Sequence, residues 1–266
     1  MRAEHISPKQ FGFTLVELIF VIAILGVVAS IGSGFMVQTV DAYRTAEVHN
    51  KLIQRGRLVI EQMSRQLRTA VPNAVRVSAS ANCIEFLPIV GGTYYENSVA
   101  DEDNGMSATS TVTTLPFYIR SGSAEHVIIA PFFSEEVYTN SSPAARVSVG
   151  ALGAEPYTSV PLSGSHRFNR NSNSKRLYIA DDPQRFCLDS GNLVEYSGYG
   201  LSTSVLNDSN PGGSSAIMAQ NVSSSGAFVL SPGSEDRNTT VGIALVFSQG
   251  SKSIRLNHTV FIRNVP

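Results

Sequence analysis

The chain has 266 residues, a formal net charge of −1 and only 15% charged side chains. Such a balance excludes a global electrostatic pull toward nucleic acid. The length leaves room for one sizeable domain, or two small ones, beyond an N-terminal extension.

The first residues, Met1 to Gly12, form a short, slightly basic leader with Arg2 and Lys9 ahead of an apolar run. Basic residues before a span keep that end cytoplasmic, with the bulk of the chain outside. The run is Gly12–Val37, and from Leu18 to Val40 no side chain is charged. As a helix, Leu18–Val40 extends roughly 34 Å, enough for a bilayer core of ~30 Å. An ordinary secretory signal has a shorter apolar core, and Glu17 would interrupt it. An uncleaved single-span anchor is the other plain reading. Glu17 is the odd residue, because a carboxylate in a spanning helix is costly unless it finds a partner.

These residues carry a resemblance. Gly12-Phe13-Thr14-Leu15-Val16-Glu17 resembles the processing motif of type IV prepilins and type II secretion pseudopilins. The resemblance implies cleavage between Gly12 and Phe13 by a prepilin peptidase, then N-methylation of Phe13. It implies that Glu17 is an assembly carboxylate, pairing with the terminal amine of a neighbouring subunit. Gly26 matches a glycine common in pilin helices. The proline that many major pilins carry near the position of Gly34 is missing, which points to a minor subunit or a pseudopilin rather than the main pilus subunit.

From Asp41 to Val71 the pattern becomes amphipathic. Ala42, Ala46, Ile53, Ile60, Met63, Leu67 and Ala70 recur at helical steps, widened by Leu52, Val59 and Val71. Pro72 is the expected stop. Gly26, Gly32, Gly34 and Gly56 lie inside this helix and have two readings, close helix packing or local bending. The outer half is basic, through Arg44, Lys51, Arg55, Arg57, Arg65 and Arg68, but lacks interleaved aromatics. It reads as a subunit contact surface rather than a nucleic-acid platform.

After Pro72 the period shortens. Strands are predicted at 74–77, 83–89, 114–119, 126–132, 146–149, 176–180 and 193–196, and a closing hairpin-rich sheet at 216–230 and 240–262. Ser248-Gln249-Gly250-Ser251 is the predicted turn of the last hairpin. The polar runs Leu162–Lys175 and Ser202–Ser215 read as long loops, functional or mobile. The expected fold is α+β and pilin-like, one long N-terminal helix packed on an antiparallel sheet domain. Its divisions are a leader at 1–12, a spanning or filament-core helix at 13–40, an amphipathic continuation at 41–71 and a periplasmic β-rich domain at 72–266.

Cys83 and Cys187 are an even pair that an oxidising compartment would join, or two separate buried thiols. The histidines show no zinc spacing, and no nucleophile elbow or phosphate loop occurs. Asp101-Glu102-Asp103-Asn104-Gly105 places oxygen ligands at alternate positions, so Asp101 and Asp103 are a weak calcium candidate beside a plain acidic turn. No cofactor and no catalytic role are expected.

A second resemblance is spread over the rest of the chain. Ile84-Glu85-Phe86-Leu87-Pro88-Ile89, Gly91-Gly92-Thr93-Tyr94-Tyr95, Arg185-Phe186-Cys187, Tyr196–Gly200 and the ending Phe261–Pro266 are similar to the minor pilins of MSHA-pilus biogenesis. Those are related in layout to PilW-type minor pilins and J-type pseudopilins. The resemblance implies a minor pilin of a type IV pilus, in a tip or priming complex. The partners would be other pilins, a prepilin peptidase, an inner-membrane assembly platform and the membrane itself. A type II secretion pseudopilin and a tip adhesin are the alternatives.

Overall fold

A computed structural model describes residues 12–233 and 237–263. Most of the leader therefore lies outside the described residues, as do the last three residues of the MSHA-like ending. One helix, α1 (Leu15–Leu67), opens the fold. Two compact units divide within it, between Asn50 and Lys51. In the first unit α1 runs unbroken through Gly26, Gly32 and Gly34, and every side chain from Phe13 to Val40 is exposed.

In the second unit α1 becomes one-sided. Leu52, Gly56, Val59, Ile60, Met63, Ser64 and Leu67 are buried, at the three- and four-residue steps of a core-facing stripe. The stripe begins at Leu52, whereas the predicted members Ala42 and Ala46 are exposed. Gly56 and Ser64 join it. The Ser64 hydroxyl donates to the Ile60 carbonyl at 2.6 Å, so its burial leaves no bare polar group. At Gly56 a Cβ would lie 3.0 Å from the Phe247 ring and closer still to Leu256. The glycine lets the helix backbone approach the sheet where no side chain fits.

The helix stops before the predicted end at Val71. Thr69 N–H donates to Gln66 O at 2.9 Å and Ala70 N–H to Leu67 O at 3.1 Å, which tightens the last turn. Val71 N–H then donates to Leu87 O at 2.9 Å. A tertiary bond draws the chain out of the helix before Pro72 can end it.

The strands are, in chain order, β1 (Arg76–Val77), β2 (Cys83–Phe86), β3 (Ile89–Tyr94), β4 (Thr109–Phe117), β5 (His126–Ile128), β6 (Arg146–Ser148), β7 (Tyr157–His166), β8 (Arg176–Ala180), β9 (Gln184–Asp189), β10 (Asn192–Ser197), β11 (Ser214–Gln220), β12 (Val222–Ser223), β13 (Phe228–Ser231), β14 (Thr239–Gln249) and β15 (Lys252–Ile262). They form sheets ordered β1-β2-β9-β10-β11, β3-β8-β5-β6 and β4-β7, with a fourth in which β14 carries β12 and β13 on one edge and β15 on the other. Their pairings are antiparallel. The fold is α+β, one long helix packed on an antiparallel β domain.

Several expectations shift. The predicted strand at 83–89 splits into β2 and β3 at Leu87-Pro88, and the one at 126–132 ends at Ile128. The run Leu162–Lys175 is strand up to His166. Neither β7 nor β9 was expected.

β5 and β8 separate two cores. Val127, Leu177 and Ile179 face one cluster with Val112, Val160 and Phe168. Ile128 and Ala180 face the other, with Val71, Ala74, Leu87 and Val137. In β14 burial alternates strictly, so Thr239, Val241, Ile243, Leu245 and Phe247 form one buried row. The last hairpin closes through Gly250-Ser251, with Gly250 at φ 58, and its eleven-pair ladder has no register shift.

Candidate functional site

The candidate site of the N-terminal segment is the start of α1. Gly12, Phe13 and Thr14 lie outside the helix. Thr14 caps it: its Oγ1 accepts the Glu17 N–H at 3.3 Å, and its carbonyl accepts the Leu18 N–H at 3.2 Å. Thr14-Leu15-Val16-Glu17 is thus built as half of a capping box, a role its spacing already encodes. Glu17 sits in the first turn, where the helix dipole favours an acid. Among the described residues its carboxylate has no hydrogen-bond or ion-pair partner. Phe13, which begins the apolar run, is 77% exposed.

Beyond Glu17 the helix is suited to lipid or to other helices. An 18-residue window in it has a mean hydropathy of 2.6, and none of that window is buried. Two of its hydroxyls are satisfied internally: Ser33 donates to Ser30 O at 2.9 Å and Thr39 to Phe35 O at 2.8 Å. No polar group of those side chains would be bare in hydrocarbon. A Cβ at Gly26, Gly32 or Gly34 would meet nothing within 4 Å. Their cost to the helix is therefore not repaid by packing inside the chain.

The family described as the prokaryotic N-terminal methylation motif matches residues 7–33. This N-terminus is a type IV prepilin-like motif. No curated protein and no solved structure matches the chain. The motif supports a type IV pilin-like or pseudopilin-like protein, and the helix that carries it is long and apolar enough to cross a membrane.

In the globular part of the chain, Cys83 and Cys187 are directly opposite one another in β2 and β9 and are joined as a disulfide, with Cα atoms 4.2 Å apart. Two residues from Cys83 sits a fully buried acid, Glu85, at 0% exposure. Arg76 Nε donates to its Oε2 at 2.6 Å, Arg185 Nη2 to its Oε1 at 2.8 Å, and the Tyr199 hydroxyl to the same oxygen at 2.9 Å. Burial, then the charge of Glu85, push the Tyr199 hydroxyl's ionisation upward.

The two arginines also hold the polar run predicted as a loop. Arg76 donates to the carbonyls of Ser204 and Ser202 at 2.8 and 3.0 Å, and Arg185 to that of Ser209 at 3.1 Å. Leu206 is buried against the disulfide. The segment is loop up to Gly213, after which β11 begins earlier than expected, and it is latched rather than free. Sequence reasoning missed Glu85 as a site; the signal was an acid inside the apolar run Ile84–Leu87.

The weak calcium candidate closes on itself. Asp101 Oδ1 accepts the N–H groups of Asp103 and Asn104 at 3.1 and 2.8 Å, and Asn171 Nδ2 binds its other oxygen. These donors outweigh desolvation and lower the Asp101 pKa. Its lone pairs serve a turn, and among the described residues no three His, Cys, Asp or Glu side chains gather as a metal group.

His126, in β5, is the most perturbed histidine. Its Nδ1 lies 3.3 Å from Arg146 Nη1 and its Nε2 lies 3.3 Å from Asp182 Oδ1. Burial first and Arg146 second lower its pKa to about 4, against an opposing pull from Asp181. The ring is neutral at neutral pH, so its contact with Asp182 is not an ion pair there.

Proposed function

We propose that the chain is a minor pilin that enters a type IV filament through α1, in an assembly of the MSHA type. The observation that carries this reading is the coincidence of the methylation motif at 7–33 with the first part of α1, whose apolar side chains up to Val40 are all exposed. In this reading residues 1–12 are a leader cut after Gly12. The new amine of Phe13 is N-methylated. Residues 13–40 then anchor the subunit in the inner membrane and later pack in the filament core, with the domain beyond residue 71 in the periplasm.

Glu17 gives the reading its mechanism. A lone carboxylate in lipid costs on the order of several kcal/mol, and a terminal amine is as poorly placed. Docked side by side, the two neutralise each other's charge. The in-chain bonds support this: Thr14 uses the Glu17 backbone N–H and leaves the carboxylate open. Partners are then other pilins in a tip or priming complex, the prepilin peptidase and the assembly platform. The MSHA assignment rests on the resemblance carried by Ile84–Ile89, Gly91–Tyr95, Arg185–Cys187, Tyr196–Gly200 and Phe261–Pro266.

The test is Glu17→Ala in cells that assemble the filament. The variant should stay in the membrane at normal levels and be missing from sheared filaments. Normal incorporation of the variant would contradict the pairing role.

A further inference from the structure

β15 is a rim strand: among the described residues its one strand neighbour is β14. Which groups its other edge presents follows from β14. Ser248 N–H donates to Asn221 O and Ala244 N–H to Ala227 O, both on the side away from β15. Their cross-strand partners are Ser253 and Asn257. In an antiparallel ladder such non-bonded pairs alternate with bonded ones. The backbone N–H and C=O of Ser253, Arg255, Asn257, Thr259 and Phe261 therefore point away from β14. Among the described residues nothing bonds them.

This edge has no bulge and no proline to stop another strand from adding, and its protecting charges are all of one sign. Its inner row is also unfinished. Ile254, Leu256 and His258 are only half-buried, while Ile243, Leu245 and Phe247 beside them in β14 are at most 1% exposed. On the outer row Phe261 is 61% exposed. A further strand would cover both rows.

Charge decides the occupant. Lys252, Arg255 and Arg263 are the charged residues from 252 to 263, and all are positive. A second copy on this edge would bring its own Lys252, Arg255 and Arg263 to an edge that has no acid to meet them, like charge toward like. We propose that the free edge of β15 docks an extended segment of a partner protein that carries acidic side chains on its outer face. Backbone bonds give affinity, and Arg255 and Arg263 on the outer face, with Lys252 at the strand's start, select the partner. The proposal stands apart from the N-terminal motif.

The probe is an acetylated nonapeptide alternating valine with threonine, with two of the threonines replaced by glutamate. The control replaces those glutamates by lysine. Each is titrated by fluorescence anisotropy against the full chain in detergent. The acidic peptide should bind and slow amide exchange at Arg255, Asn257 and Thr259, and the lysine peptide should not. Asn257→Pro removes one outward N–H without touching the ladder to β14. It should abolish binding at an unchanged melting temperature. Arg255→Glu should weaken the acidic peptide about tenfold, and it decides the matter alone if the proline variant fails to fold. Equal binding of both peptides, or undiminished binding by either folded variant, overturns the proposal. So does concentration-dependent self-association lost in Asn257→Pro, which would assign the edge to a second copy.

Discussion

Two glutamates lie in apolar surroundings in this chain, and they are treated in opposite ways. Glu85, in β2, is fully buried and receives Arg76, Arg185 and Tyr199 from its own fold. Glu17, at the start of α1, has an acid's cost in lipid and no carboxylate partner among the described residues. The start of the first unit is open: the apolar side chains from Phe13 to Val40, Gly26, Gly32, Gly34 and the Glu17 carboxylate have no counterparts among the described residues. In the proposed reading the fold answers one acid itself, and a second molecule answers the other.

The comparison can be broken most sharply at Glu85. Glu85→Ala strands Arg76 and Arg185 without their counter-charge, and should cost about 3–5 kcal/mol in chemical denaturation. It should also release the loop around Leu206, read as faster amide exchange there. A loss below about 1 kcal/mol would mean that the cluster is not what holds that loop.

The next effect is pH-dependent. The folded pKa of His126 is lowered to about 4, below its unfolded value of ~6.5. Between those values the unfolded chain takes up a proton that the folded chain refuses. Stability is therefore full above pH ~6.5 and falls as the pH drops toward ~4, by about 3 kcal/mol for this group. Denaturation across that window should show the fall, and His126→Gln should flatten it.

Gly56 sharpens the comparison inside α1 itself. Gly56→Val inserts a branched side chain against Phe247 and Leu256 and should destabilise by about 1–3 kcal/mol. The same change at Gly34, where a Cβ meets nothing, should leave the melt of the β domain unmoved. The smallest expected effect on stability is that of Glu17→Ala. It should change the melt of the β domain by less than about 0.5 kcal/mol, although it removes the subunit from the filament.

What the sequence conveyed follows the same division. The apolar run, its acid and the motif were legible because lipid-facing sequence is written in composition, which needs no partner to read. The closing hairpin was also legible, since Val241–Phe247 and Ile254–Val260 flank a Gln-Gly turn. Its register looked uncertain because Phe261 is an apolar residue on the outer row. β9 was hidden by Arg185, a charged residue on a buried position that makes sense only beside Glu85. β7 was hidden by its serines, glycine and proline, which read as loop until β4 pairs with them. The helix stripe was legible at its leucines and valines and misread at Gly56 and Ser64. There the packing surface is a missing side chain and a hydroxyl turned back on the helix.

The central claim is that α1 is unfinished until another molecule completes it, and that the finishing begins with a new amine at Phe13. Intact mass and N-terminal analysis of the protein from membranes test this most directly, in cells with and without the prepilin peptidase. The account predicts a chain beginning at N-methylated Phe13 when the peptidase is present, and the full leader when it is absent. A mature protein that keeps Met1 to Gly12 in cells with active peptidase would contradict it.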